Sequence, residues 1–94
     1  MSEIQEILDE YDIELDEETL DLREAIDDPI DQMVEAFSQI INLKSLDIGN
    51  NRITSLPDTI GNLQTLESLY LDMNRLTILP ESIGNLRSLK ILDL

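Results

Sequence analysis

Leu43-Lys-Ser-Leu46-Asp-Ile48-Gly-Asn-Asn51-Arg-Ile53-Thr-Ser-Leu56-Pro57-Asp-Thr-Ile60-Gly61-Asn62-Leu63 is followed by a second version of itself that begins at Leu66. Leu66, Leu69, Leu71, Asn74, Leu76, Leu79, Pro80, Ile83, Gly84, Asn85 and Leu86 repeat its apolar and turn positions, and Leu89, Leu92 and Leu94 open a third unit. Over residues 43–71 set against 66–94, fifteen of 29 pairs are identical. A fixed period of this length means stacked supersecondary units, none of which can enclose its apolar face alone.

The pattern within a unit carries its own physics. Leu46 and Ile48 alternate with Ser45, Asp47 and Gly49, and Leu69 and Leu71 alternate with Ser68, Tyr70 and Asp72. A period of two predicts a short strand with the apolar pair inside and the others outside. Asn51 and Asn74 fall at the same place after the strand leucines Leu46 and Leu69, where a buried amide satisfies the backbone of adjacent turns. That place predicts a ladder in which Asn74 is buried and bonded to its neighbours. Pro57 and Pro80 end the extended stretch. Gly61-Asn62 and Gly84-Asn85 are expected to turn the chain on the outer side.

The order Leu-x-x-Leu-x-Leu-x-x-Asn-x-Leu resembles the leucine-rich-repeat family. The segment Leu-Pro-x-x-Ile-Gly-Asn-Leu is similar to the intracellular subgroup typified by Scribble, the Ras suppressor and the plant intracellular Ras-group proteins, with bacterial relatives. The resemblance covers residues 43–94. It implies an α/β solenoid, a right-handed horseshoe segment with parallel strands on its concave side, and a role in protein binding.

Upstream of the repeats the pattern changes. Ser2 and Gln5 fit a capping box ahead of Ile4, Ile7, Leu8 and Tyr11 at helical spacing. Asp28-Pro29 fits a second helix start, with Ile30, Met33, Val34, Phe37, Ile40 and Ile41 on one face and Asp31, Gln32, Glu35 and Gln39 on the other. Thr19-Leu20-Asp21-Leu22 reads as the strand of a degenerate first repeat. The interval from Leu20 to Leu46 is longer than that from Leu46 to Leu69, and Ala25 stands where asparagine would be. The expected organisation is therefore a helical N-terminal cap with a degenerate repeat over 1–41, then two full repeats and the opening strand of a third over 42–94.

Charge is segregated. Residues 1–40 hold fifteen acids and only Arg23 as a base, net −14, whereas residues 41–94 are net −1. Nucleic acid and anionic membrane are poor partners for such a chain, and a basic protein is electrostatically favoured. The same acids also serve solubility. With no cysteine and no histidine, the chain lacks a disulfide framework, a thiol nucleophile and the commonest general base and metal ligand. Ser and Thr without a histidine, and no glycine-rich phosphate loop, leave no catalytic constellation, so neither an enzyme nor a cofactor is expected. Asp12-x-Glu14-x-Asp16 opens like a calcium loop, but Glu17 stands at the glycine position and Arg23 at the bidentate glutamate. A solvated acidic loop is the better reading, and Asp27, Asp28 and Asp31 suit capping and the helix dipole. Glu3, Glu6, Asp9 and Glu10 occupy the place of a signal peptide's basic region, and no run is long enough to span a membrane, so a cytoplasmic location is expected.

The residues expected to meet a partner are the outward strand positions Ser45, Asp47, Ser68, Tyr70, Asp72, Ile91 and Asp93, with Gly49 beside them. Tyr70 brings a broad rigid surface with a polar tip, although a strand residue chosen for β-propensity looks the same. Leu89, Leu92 and Leu94 are expected to form an open edge: the third repeat is begun and not completed. That predicts either a piece of a longer protein or a strand covered by another chain, a second copy included. A protein-interaction module is the leading function. An acidic inhibitor or immunity-type protein acting through residues 1–40, and a structural fragment with no activity of its own, are the alternatives.

Overall fold

A computed structural model describes residues 3–12, 18–25, 31–40 and 42–94. Helix α1 (Glu3–Glu10) precedes strand β1 (Thr19–Asp21), helix α2 (Asp31–Phe37) and strand β2 (Ser45–Asp47). A 3₁₀ helix (Asp58–Asn62), β3 (Ser68–Tyr70), a second 3₁₀ helix (Glu81–Asn85) and β4 (Ile91–Asp93) complete the order. The four strands form one parallel sheet in the order β1-β2-β3-β4. This α/β arrangement puts Leu20, Leu46, Leu69 and Leu92 in one row, so the sequence period becomes a spatial register.

Each strand is short because alternation ends where the chain must turn inward. Leu46, Ile48 and Ile53 are fully enclosed, as are Ile60, Leu66 and Leu69. The core is continuous from Leu8 of α1 through Met33, Val34 and Phe37 of α2 to Leu86 after the second 3₁₀ helix. Aliphatic side chains recurring once per repeat thus fill successive layers. Burial of this kind contributes about 25 cal/mol per Å2 of apolar surface removed from water.

Several sequence expectations are modified. The α-helix of α2 ends at Phe37, and Ile40 N–H donates to Phe37 O at 3.0 Å, a tighter turn that still buries Ile40. Ala36, which the helical pattern did not select, is fully buried. Gly61-Asn62 and Gly84-Asn85 take a more regular form than a single turn: each pair ends a 3₁₀ helix that begins after an extended proline, Pro57 or Pro80. Neither glycine has positive φ. Gly61 is required by close approach instead, since a Cβ there would stand 2.7 Å from Ser82 O of the next turn. Gly84 has open space at the same place. Leu94 lies just past the end of β4. The Ser2 cap, the Asp28-Pro29 helix start, Ile30 and Ile41 lie outside the described residues, as do the side chains of Ile4, Ile7, Asp31 and Gln32.

Two features recur turn by turn. The residue four places after the row leucine is left-handed each time: Glu24 (φ 59°), Asn50 (φ 56°) and Met73 (φ 61°). Two places before that leucine stand Glu18, Lys44, Glu67 and Lys90, alternating in sign, with Lys44 3.8 Å from Glu18 and Lys90 3.7 Å from Glu67.

Candidate interaction surface

The open face of the sheet is built by strand alternation. With the leucine row turned into the core, Thr19, Ser45, Ser68 and Ile91 form one outward row, and Asp21, Asp47, Tyr70 and Asp93 the next. Ser45, Asp47, Ser68 and Tyr70 are half-buried, while Ile91 and Asp93 are exposed. Asp72, just beyond β3, is half-buried on the same face. The sequence-selected partner-binding residues therefore share one surface.

Gly49 is a correction. It is buried rather than open, because the guanidinium of Arg23 lies over it. Arg23 Nη1–H donates to Asp47 Oδ1 at 3.2 Å and to Asp72 Oδ1 at 3.1 Å, and Nη2–H donates to Asp72 Oδ2 at 3.1 Å. The fork on Asp72 is the bidentate geometry in which arginine binds carboxylate most specifically. Its hydrogen bonds, together with the Arg23 charge, hold the Asp72 carboxyl below its ordinary range against a partly opposing desolvation. Asp72 in turn, helped by the charge of Asp47, raises the Arg23 guanidinium. The contact of Arg23 with Asp47 and Asp72 on this face is what sequence reasoning missed. A signal was there: Arg23, Gly49 and Asp72 hold the same place in three consecutive turns, a base and an acid on either side of a residue with no side chain.

Asn51 and Asn74 tie the turns together behind this face. Asn51 Nδ2 donates to Ile48 O at 2.8 Å, Leu22 O at 3.0 Å and Gly49 O at 3.1 Å, and its Oδ1 accepts from Ala25 N–H at 2.9 Å. Asn74 Oδ1 accepts from Asn51 N–H and Ile53 N–H, and its Nδ2 donates to Ile48 O and Leu71 O. Asn51 is buried; Asn74 is only half-buried, contrary to the sequence expectation, because it borders the open depression beside Leu94. Ala25 supplies a backbone N–H in place of a side-chain link.

At the β4 end, Leu89 is half-buried, Leu92 is 36% exposed and Leu94 67%. Leu94 lines a shallow depression with Leu71, Leu76, Ile78 and Leu79. Among the described residues no group of three or more acidic side chains is placed to hold a metal ion. Of the calcium-like stretch, Asp12 closes α1 with positive φ and Arg23 is engaged as above, and residues 13–17 lie outside the described part. No described helix is long and apolar enough to cross a membrane.

Parallel strands in a repeating register, joined by 3₁₀ segments and crossed by asparagine side chains, define a protein of stacked turns. A family model described as a leucine-rich repeat region matches residues 18–94. The chain belongs to the leucine-rich repeat family, and the match takes in the degenerate first turn at β1 as well as the regular ones. Comparison with curated proteins returned no match. The family is in general a non-enzymatic scaffold for protein interaction.

Proposed function

We propose that this chain is a protein-interaction module that receives a partner protein on the outward face of its sheet. In this reading the stacked turns are a solenoid, that face is its concave side, and α1 and α2 cap the first apolar edge. The supporting observation is the placement of Ser45, Ser68, Tyr70, Ile91 and Asp93 on one surface, where among the described residues no hydrogen bond or ion pair of their side chains explains them. Tyr70 lies between Asp47 and Asp93 and offers the aromatic area on which interface energy concentrates. The partner is a protein, favoured when basic, and the module works in the cytoplasm.

The acidity of residues 1–40 favours a second reading, an inhibitor that blocks a basic target through that segment. One experiment separates the two. Proteins captured from a lysate are compared for wild type, for Tyr70→Ala with Ile91→Asp, and for charge reversal of the acids in residues 9–31. Loss only with the first pair supports the sheet face. Loss only with charge reversal transfers the function to the acidic segment. The edge of β4 is a second surface, and its proposed occupant is another copy of the chain pairing antiparallel. Sedimentation equilibrium reads that directly, and Leu92→Lys is expected to dissociate the pair.

A further inference from the structure

We propose that Arg23 is a displaceable strap: an internal guanidinium that fastens the first turn across the open face and masks Asp47 and Asp72 from arginine side chains of a partner. The inference rests on the reading of that face as the interaction surface.

The geometry is that of a seat with an occupant. Gly49 is the floor, and a Cβ on it would collide with Arg23 Nη1 and lie 2.8 Å from Asp72 Oδ1. The walls are two carboxylates from different turns, both remote from Arg23 along the chain. A planar fork fits between them, with both nitrogens on Asp72 and one shared with Asp47. A lysine ammonium cannot reproduce that fork. The filling side chain, the floor and the Asp72 wall occupy equivalent places in three neighbouring turns, and Asp47 adds the second wall from the strand that leads into the floor, so the fit follows from the register of the sheet.

The seat is exchangeable. The Arg23 side chain is 38% exposed, Asp47 24% and Asp72 31%. Ion pairs this open to water are of low net worth and readily break and reform. The turn that carries Arg23 is held independently, by Leu22 N–H on Asp47 O at 2.8 Å and Ala25 N–H on Asn51 Oδ1 at 2.9 Å. The side chain therefore swings free without unfolding its own turn. Of the four aspartates along this surface, Asp21 also accepts from Arg23 N–H at 3.3 Å, and Asp93 is left to an incoming cation while the strap is closed. An arginine-bearing segment must displace the strap to gain the bidentate contact. A seat occupied internally nine-tenths of the time weakens apparent affinity about tenfold.

The test uses the full chain and N-acetyl-arginine amide as probe, with N-acetyl-lysine amide as control, followed by amide shifts of Asp47, Gly49 and Asp72. Arg23→Gln is expected to bind the arginine probe about tenfold more tightly than wild type at these amides, and the lysine probe no better. Adding Asp72→Asn to Arg23→Gln is expected to abolish the gain. Arg23→Lys, which keeps the charge and loses the fork, is the second variant should Arg23→Gln fold poorly, and it too is expected to gain affinity for the arginine probe. Unchanged affinity in the folded variants, or an equal gain for both probes, would overturn the strap. Because the probe reads the seat directly, a failed partner capture with Tyr70→Ala leaves this result standing, and the reverse also holds.

Discussion

Replacing Asn51 with alanine removes a side chain that makes four hydrogen bonds to the described residues, and the loss of these can be apportioned. Ile48 O keeps the Asn74 amide at 2.9 Å, while Leu22 O and Ala25 N–H keep each other at 3.2 Å. Gly49 O has no other donor among the described residues. One buried carbonyl is thus stranded outright, at about 1–3 kcal/mol, and three groups fall back on a single weaker bond at about 0.5 kcal/mol each or slightly more. The expected total is about 3 kcal/mol. At a urea slope of about 1.5 kcal/mol/M, the midpoint falls by about 2 M with the slope unchanged. Asn51→Asp sharpens the test. It keeps the acceptor for Ala25 N–H but sets a carboxylate oxygen against three carbonyls, of Ile48 at 2.8 Å, Leu22 at 3.0 Å and Gly49 at 3.1 Å. It should be less stable than Asn51→Ala near neutral pH and recover in part when acidified, as a protonated carboxyl regains a donor. Midpoints equal to wild type for both variants would refute the reasoning.

Phe37→Ala removes a fully enclosed ring from the packing of α2 and should cost about 3–5 kcal/mol by urea unfolding. Gly61→Ala drives a methyl into Ser82 O and should destabilise by about 1–3 kcal/mol, whereas Gly84→Ala meets nothing within 4 Å and should stabilise by about 0.4–1 kcal/mol. Met73→Asn places in a left-handed site (φ 61°) the residue that Asn50 already supplies one turn earlier, and should raise stability by about 1 kcal/mol in the same assay. Asp72 has its folded pKa depressed, so its contribution is present above the ordinary value of 3.8 and disappears as pH falls through the lower folded value. The stability gap between wild type and Asp72→Asn should therefore be constant near neutrality and close in acid, by thermal melts across pH; a gap that widens on acidification would contradict the Arg23 pairing.

The strands were legible because two periods coincide in them. Alternation around Leu46 and Leu69 gives the facing of each residue, and the longer repeat gives the neighbour. β1 was harder, since Leu20 stands further from Leu46 than the regular period allows and asparagine is missing from its turn. The leucine and the alternation of Thr19-Leu20-Asp21-Leu22 still mark it. Once the strands are placed, the outward grouping of Ser45, Asp47, Ser68 and Tyr70 needs no further information. The 3₁₀ helices were not legible: so short a run of i→i+3 bonds leaves no periodic trace, and Gly-Asn reads as a turn by habit of composition. The Arg23 seat was hidden for another reason. Its members come from three separate turns, and only a fixed register turns equal offsets into contact.

The alternating column of Glu18, Lys44, Glu67 and Lys90 bears on how near-identical turns find their proper neighbours. To the backbone alone, β4 is as good a mate for β2 as β3 is. A chain that skips a turn while collapsing would set Lys44 against Lys90, or Glu18 against Glu67, and like charges directly opposed are unfavourable. Correct neighbours always differ in sign, and next-but-one neighbours never do. One charge per turn thus distinguishes the proper neighbour from the next but one, which the leucine row alone does not.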